Sequence, residues 1–202
     1  MKTENVYENK YWAENKLVIG IDEAGRGPLA GPLVVAGVVF PIGYDTKDIY
    51  DSKKLSAKKR DELYDLILKD ALYYNIQIVD EKTIDELNIL QATRMAMTKI
   101  ALDAKVEVVL TDAMKLYIGK SVIDLIKGDQ KSGSIAAGSI LAKVTRDRIM
   151  DQLDEIYPEY GFKKNKGYPT ASHLAALKQY GPSKIHRYSY KPVFEASQLS
   201  LF

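Results

Sequence analysis

Short apolar runs alternate along this chain with longer stretches in which apolar positions recur every three or four residues, so strands and helices are expected in alternation. The first run, Leu17-Val18-Ile19-Gly20-Ile21, is rich in β-branched residues and ends in Asp22-Glu23, then Ala24-Gly25-Arg26-Gly27. It reads as a buried strand that delivers charge to its own end. Pro28 to Pro32 turns the chain into a second apolar strand, Leu33 to Phe40, and the two are expected to pair as a hairpin with the acids near the sheet centre. Ser56 caps a predicted helix over Ala57 to Lys69, with Leu63, Leu66 and Ile67 facing inwards. Tyr73 to Val79 reads as a strand. Thr83 or Asp85 opens a helical region through Asn88 and Ile89, and Ala92, Met95, Ala96 and Ile100 continue its apolar stripe. Val106 to Asp112 repeats the opening pattern, an apolar strand ending in an acid. Val122 to Ile126 is a short strand running into Lys127-Gly128-Asp129, and a helix is expected from about Ser134 to Leu153. A basic loop, Lys163 to Thr170, holds Tyr168; a helix over Ala171 to Tyr180 closes on Gly181-Pro182, and the last twenty residues read as irregular.

Composition narrows the chemistry. At 202 residues and 46% hydrophobic, the chain suits one domain or a domain with a small appendage. No apolar run is long enough to span a bilayer, and the first eight residues are too polar and acidic for a signal peptide, so no membrane partner and a cytoplasmic location are expected. Without cysteine, disulfides, thiolate metal sites and a cysteine nucleophile are excluded. With His173 and His186 the only histidines, a metal here has to be a hard one held by oxygen. The formal charge is only +2, but Lys163, Lys164, Lys166, Lys178, Lys184, Arg187 and Lys191 crowd the second half, which admits a polyanionic partner.

Two adjacent carboxylates at the mouth of an apolar strand are costly to desolvate unless a cation compensates them. The bland alternative is an acidic strand-to-turn junction paired with Arg26. Asp112 and Asp129 shift the balance: with Asp22 and Glu23 they make four acids at strand ends, a set suited to Mg²⁺ or Mn²⁺. Phosphoryl transfer with two ions ~3.5–4 Å apart is the reaction that such an arrangement serves. Asp147 competes for the fourth place, but its setting between Arg146 and Arg148 marks an ion-paired structural acid.

Six motifs resemble those of bacterial ribonuclease HII, in order and across most of the chain: Asp22 to Gly27, Asp51 to Ser56, Leu87 to Thr93, Lys127 to Asp129, Ser139 to Asp147 and Lys166 to Thr170. The resemblance implies an α/β, RNase H-like fold, with a mixed central β-sheet flanked by helices and a small helical C-terminal part. It divides the chain into an N-terminal extension (1–16), a catalytic core (17–155), a C-terminal substrate-binding part (156–197) and a tail (198–202). It implies metal-dependent endonucleolytic cleavage 5′ of a ribonucleotide in duplex DNA or in an RNA/DNA hybrid, leaving 3′-hydroxyl and 5′-phosphate ends. This would serve ribonucleotide removal from DNA and RNA primer degradation, with a monomer expected.

By motif position Asp22, Glu23, Asp112 and Asp129 correspond to the family's metal-binding acids. Gly25, Arg26 and Gly27 match the turn that reads the 2′-hydroxyl through its backbone. Tyr168 matches the tyrosine that packs on the following deoxyribose, and Lys53, Lys143 and Arg146 are candidates for phosphate contacts. The chain departs from the family pattern at Asp112-Ala113-Met114, where Gly-Asn or a similar small polar pair usually follows the acid. It departs again at Gly138 in Ala136-Ala137-Gly138-Ser139, which adds a helix glycine at up to ~1 kcal/mol against alanine.

Gln198, Leu199, Leu201 and Phe202, in the sequence Gln-Leu-Ser-Leu-Phe, resemble the short peptide with which bacterial replication and repair proteins bind the sliding clamp. A polar anchor followed by Leu and a terminal Leu-Phe pair suits an apolar pocket on a partner. The alternative is that the same apolar residues pack on the chain's own core. Two other activities stay open from the residues: a DNA-directed or recombination nuclease, and a hybrid-binding module without catalysis.

Overall fold

β1 (Val18–Ala24) is buried over its first five residues and β2 (Leu33–Val39) along its whole length. Continuous burial needs cover on both faces, which is why these segments read as unbroken apolar runs rather than alternating ones. The structure, a computed structural model, describes residues 5–46, 48–50 and 52–199, apart from the side chains of Lys53 and Leu199. In it β1 pairs antiparallel with β2, Asp22 opposite Ala36, as the hairpin reading expects. On its other side β1 pairs in parallel with β4 (Val108–Asp112), and β4 in parallel with β5 (Ser121–Leu125). With β3 (Tyr73–Val79) outermost beside β2, the mixed sheet has the order β3-β2-β1-β4-β5.

The helices are α1 (Val6–Trp12), α2 (Ala57–Asp70), α3 (Glu81–Leu87), α4 (Ile89–Asp103), α5 (Gly133–Ile156), α6 (Phe162–Asn165), α7 (Ala171–Tyr180) and α8 (Lys191–Leu199). Ser56 caps α2 as expected, its hydroxyl accepting from the Lys59 amide. Leu63 and Ile67 are buried, but Leu66 is 38% exposed, one position too far round the helix for the core. In the same way Ala92, Ala96 and Ile100 of α4 are buried, whereas Met95 is exposed. The helical region expected to run on through Asn88 breaks there. Asn88 takes φ +62°, which asparagine tolerates, and its side-chain oxygen caps α4 by accepting from the Leu90 and Gln91 amides at 3.1 Å each. The terminal stretch read as irregular contains α8, started by Pro192 and anchored by buried Val193 and Ala196.

The chain divides into two compact units. Unit one comprises the described residues of Met1–Ala24, Val34–Gln77 and Thr93–Val144; unit two comprises those of Gly25–Leu33, Ile78–Ala92 and Thr145–Phe202. The division expected after residue 155 therefore falls after Val144, and the second unit also takes in the glycine-rich turn after β1. In unit one, Val18, Val108, Leu110, Leu125 and Ile135 form a buried cluster against which Tyr7 and Tyr11 of α1 pack. Buried Glu8 of α1 accepts from the Ser132 hydroxyl at 2.5 Å and the Ser134 amide at 2.9 Å, which ties α1 to this unit. In unit two, Met150, Tyr160, Phe162 and Ala176 pack around Ala30, while Leu177, Val193 and Ala196 pack around Leu29.

Candidate active site

Parallel strands β1, β4 and β5 run the same way, so their carboxyl ends share one edge of the sheet, the usual location of ligand sites in such sheets. The register that pairs Ile21 with Thr111 carries Asp22 and Asp112 to that edge together. Asp22 and Asp129 are each only 5% exposed, and Glu23 and Asp112 are half-buried. Asp129 sits not on a strand but in a 3₁₀ turn, Gly128–Gln130, entered through Lys127 at φ +57°. That turn is tied to β4 by the Gly128 amide, which donates to Asp112 Oδ1 at 2.8 Å.

Burial pushes the Asp22 carboxyl well above the ordinary carboxylate range, and the neighbouring Glu23 and Asp112 carboxylates push it further in the same direction. Hydrogen bonds from the Ser139 hydroxyl and the Glu23 amide, the latter at 2.7 Å, oppose that shift. Ser139 Oγ lies 3.1 Å from Ser52 Oγ, and the Ser52–Lys54 turn is held by Arg60, which donates to the Ser52 and Leu55 carbonyls at 3.1 and 2.7 Å. A hydroxyl relay thus runs from the Ser52 turn to the central carboxylate. Ser52 and Ser139 lie inside two of the family-like motifs, yet nothing in their spacing marks them as orienting groups. Gly138 explains the close approach that makes the relay: a Cβ there would fall 2.7 Å from the Ala36 carbonyl oxygen and 3.3 Å from the Asp22 amide.

The donor set fits a hard divalent cation. All donors are carboxylate oxygens, and Asp22, buried beside the Glu23 and Asp112 carboxylates, is the one whose charge most needs a cation. Among the described residues no three such groups close on one point as a finished cage. Mg²⁺ does not require one, because it keeps several waters and is held through one or two carboxylates plus substrate phosphate. Asp22, Glu23, Asp112 and Asp129 are the residues that would hold it, and what it supplies when bound is an activated water and charge neutralisation at the leaving oxygen. Lys143, on α5 of unit one, is half-buried; the Lys53 side chain lies outside the described residues.

The other candidates belong to unit two. Gly25 has φ +103°, and Arg26 and Gly27 are exposed. Tyr168 is 42% exposed, and its ring edge comes within 3.6 Å of where a Gly27 Cβ would stand, so an aromatic face and a bare backbone turn lie side by side. Arg146 departs from the expected phosphate contact. It is 1% exposed and donates to the carbonyls of Pro32, Ala30 and Lys166 at 2.9, 3.1 and 2.9 Å, because this proline- and glycine-rich turn leaves carbonyls without ladder partners. Burial, then the nearby Arg187 guanidinium, lowers the Arg146 pKa to about 10, which leaves it cationic at neutral pH. Gln198, in the last turn of α8, is exposed; the Leu199 side chain, Leu201 and Phe202 lie outside the described residues. Among the described residues no helix is long and apolar enough to cross a membrane.

The family model described as Ribonuclease HII matches residues 19–193. Ribonuclease HII of Lactobacillus acidophilus is 50% identical over 190 residues, covering 93% of this chain and 76% of that protein. The Bacillus subtilis protein of the same name is 51% identical over 180 residues, covering 88% and 71%. Among solved structures, the ribonuclease H2 from Pyrococcus horikoshii superposes with a TM-score of 0.75 at 27% identity, over 91% of this chain and 98% of that one. An Archaeoglobus fulgidus RNase HII, solved as a complex with PCNA, gives 0.75 at 30% identity, over 87% and 95%. The sheet order and the match over nearly the whole chain lead to one conclusion: the chain belongs to the ribonuclease HII family.

Proposed function

We propose that this protein is a metal-dependent endoribonuclease that hydrolyses the phosphodiester bond 5′ of a ribonucleotide in duplex DNA, and cuts RNA/DNA hybrids, leaving 3′-hydroxyl and 5′-phosphate ends. The observation that carries this reading is Asp22, in the central strand, driven towards neutrality first by its burial and then by the Glu23 and Asp112 carboxylates, a setting in which a divalent cation restores the charged form. Asp22, Glu23, Asp112 and Asp129 would hold Mg²⁺ or Mn²⁺, two ions in the reacting state, and the metal would supply activation of the attacking water and neutralisation of charge at the leaving oxygen. Ser139 and the Glu23 amide fix the orientation of Asp22. Gly25, Arg26 and Gly27 meet the ribose 2′-hydroxyl through backbone groups, and Tyr168 packs on the following sugar. Lys53 and Lys143 contact phosphates and contribute affinity without sequence preference. The enzyme removes ribonucleotides from DNA and degrades RNA primers in the cytoplasm as a monomer.

We also infer that the tail from Gln198 to Phe202 docks on a sliding clamp. The Archaeoglobus fulgidus relative solved with PCNA supports a partner of this kind, and Gln198 is exposed at the end of α8.

One experiment tests the enzymatic reading: a DNA duplex bearing a single ribonucleotide, incubated with Mg²⁺ and with product ends mapped. Cleavage 5′ of the ribonucleotide supports it, and Asp22→Asn should abolish turnover. Cleavage of an all-DNA duplex would show a DNA-directed nuclease instead, and retention without cleavage would show a silent hybrid-binding module.

A further inference from the structure

In a backbone-reading turn, specificity depends on which way each peptide faces, and glycine supplies no side chain to fix that. Arg187 and Tyr190, in unit two, supply it from elsewhere. The Arg187 side chain is fully buried. Its Nε and Nη2 donate to the Gly31 carbonyl at 3.0 and 2.7 Å, and Nη1 donates to the Arg26 carbonyl at 3.3 Å and to the Tyr190 hydroxyl at 3.1 Å. The Tyr190 hydroxyl in turn donates to the Arg26 carbonyl at 2.6 Å. One guanidinium therefore spans the turn from Arg26 to Gly31. Its backbone is registered as well, because the Arg187 amide donates to the Leu29 carbonyl at 2.8 Å.

Both lone-pair directions of the Arg26 carbonyl are thereby occupied from the protein side. A trans peptide carries its C=O and N–H on opposite edges, and the described residues include no cis bond. Holding the Arg26 carbonyl inwards accordingly turns the Gly27 amide outwards, beside Tyr168, where the turn is exposed. Arg146 packs against the same turn so closely that a Cβ at Gly25 would meet its Nε at 2.3 Å, so only glycine fits there.

We propose that Arg187 and Tyr190 are positioning residues for ribose selectivity: together they fix the Arg26–Gly27 peptide with its amide presented to the 2′-hydroxyl. This rests on the assignment of Gly25 to Gly27 as the sugar-reading turn. Tyr190→Phe removes the 2.6 Å hydrogen bond while leaving the ring over Arg187, 5.3 Å from its guanidinium carbon.

The test measures KM and kcat on a duplex with one ribonucleotide, and the inhibition constant of the matching all-DNA duplex, for wild type, Tyr190→Phe and Tyr160→Phe. Tyr160→Phe is the control, since it loses an equally good bond, 2.7 Å to the Gly181 carbonyl, in the same unit. In Tyr190→Phe, KM should rise roughly three- to tenfold, the worth of one hydrogen bond. Its kcat should stay within about twofold, and the all-DNA inhibition constant should not change. Tyr160→Phe should leave the selectivity at the wild-type value. Unaltered selectivity in Tyr190→Phe, or an equal loss in Tyr160→Phe, overturns the positioning role. A wild-type enzyme that binds both duplexes equally overturns the sugar-reading turn itself, which separates the two failures.

Discussion

The two histidines of this chain meet each other, and their geometry fixes both protonation states. His173 Nδ1 lies 2.9 Å from the Tyr168 carbonyl, which only accepts, so Nδ1 carries the proton. His186 Nδ1 accepts from the Ser183 amide at 3.0 Å, so its proton is on Nε2. The 3.0 Å contact between the two Nε2 atoms is then a donor from His186 to His173, and a proton added to either acceptor nitrogen would leave two donors facing each other. Burial, then the neighbouring His173, pushes the His186 pKa down to about 3, and burial lowers His173 as well. The folded value lies below the unfolded value of 6.5, so the unfolded chain binds the extra proton. Stability is complete above about pH 6.5 and falls as the pH drops towards 3. At pH 5 the His186 contribution alone amounts to about 2 kcal/mol, at ~1.4 kcal/mol per pH unit, which lowers Tm by ~4–8 °C for a chain of this size.

Proton NMR resolves the question directly because only two imidazoles titrate. His186 should stay neutral down to pH 4, and urea unfolding of His186→Gln should lose less stability between pH 7 and pH 5 than wild type. A His186 ring that titrates near 6.5 in the folded protein, or equal pH slopes for the two proteins, would refute the neutral pair.

Ala113 adopts φ +48°, a conformation that costs an L-residue ~1–2 kcal/mol, so Ala113→Gly should raise the unfolding free energy by about 0.5–1 kcal/mol after the glycine's greater chain entropy is counted, as read by urea denaturation. Gly138→Ala should do the reverse despite alanine's better helix propensity. The clash with the Ala36 carbonyl should cost roughly 1–3 kcal/mol in thermal unfolding and should lower cleavage by displacing Ser139 from Asp22. Deleting Leu201 and Phe202 should abolish binding to a sliding clamp in a pull-down with the purified clamp, with turnover on a short duplex unchanged; unaltered clamp affinity would reject the docking role.

The sheet was legible because its strands are apolar runs with one possible destination. Tyr73–Val79 and the capped start of α2 follow from local chemistry alone. Leu66 and Met95 were misplaced for a related reason: a helix stripe is read in steps of three and four, and residues at its margin satisfy the spacing without facing the core. In α8, Pro192 followed by Val193 and Ala196 is a start signal and a short stripe, but eight or nine residues after a run of tyrosines and basic groups give periodicity little room. Asp22 and Asp112 stand out in the sequence because a carboxylate at the end of an apolar strand contradicts its surroundings, whereas Asp129 lies in a turn and carries no such mark. The Ser52–Ser139 relay was not legible, since hydroxyls at a turn and on a helix contradict nothing.

The arginines show where reading by residue type stops. Arg146 sits among Lys143, Asp147 and Arg148, and local spacing makes it one more charge on a helix face. In the fold it is buried, and so is Arg187, because most of their acceptors are backbone carbonyls more than a hundred residues away, at Arg26 and at Ala30, Gly31 and Pro32. The demand for those donors is visible in the sequence as composition: a turn with two prolines and three glycines between Gly25 and Pro32 cannot satisfy its own carbonyls through a ladder. A site that recognises its ligand with backbone groups transfers the work of orientation to side chains elsewhere. Only cations rich in donors and fixed in shape can hold several carbonyls at once. In such a site the buried arginines are therefore as informative as the glycines of the turn.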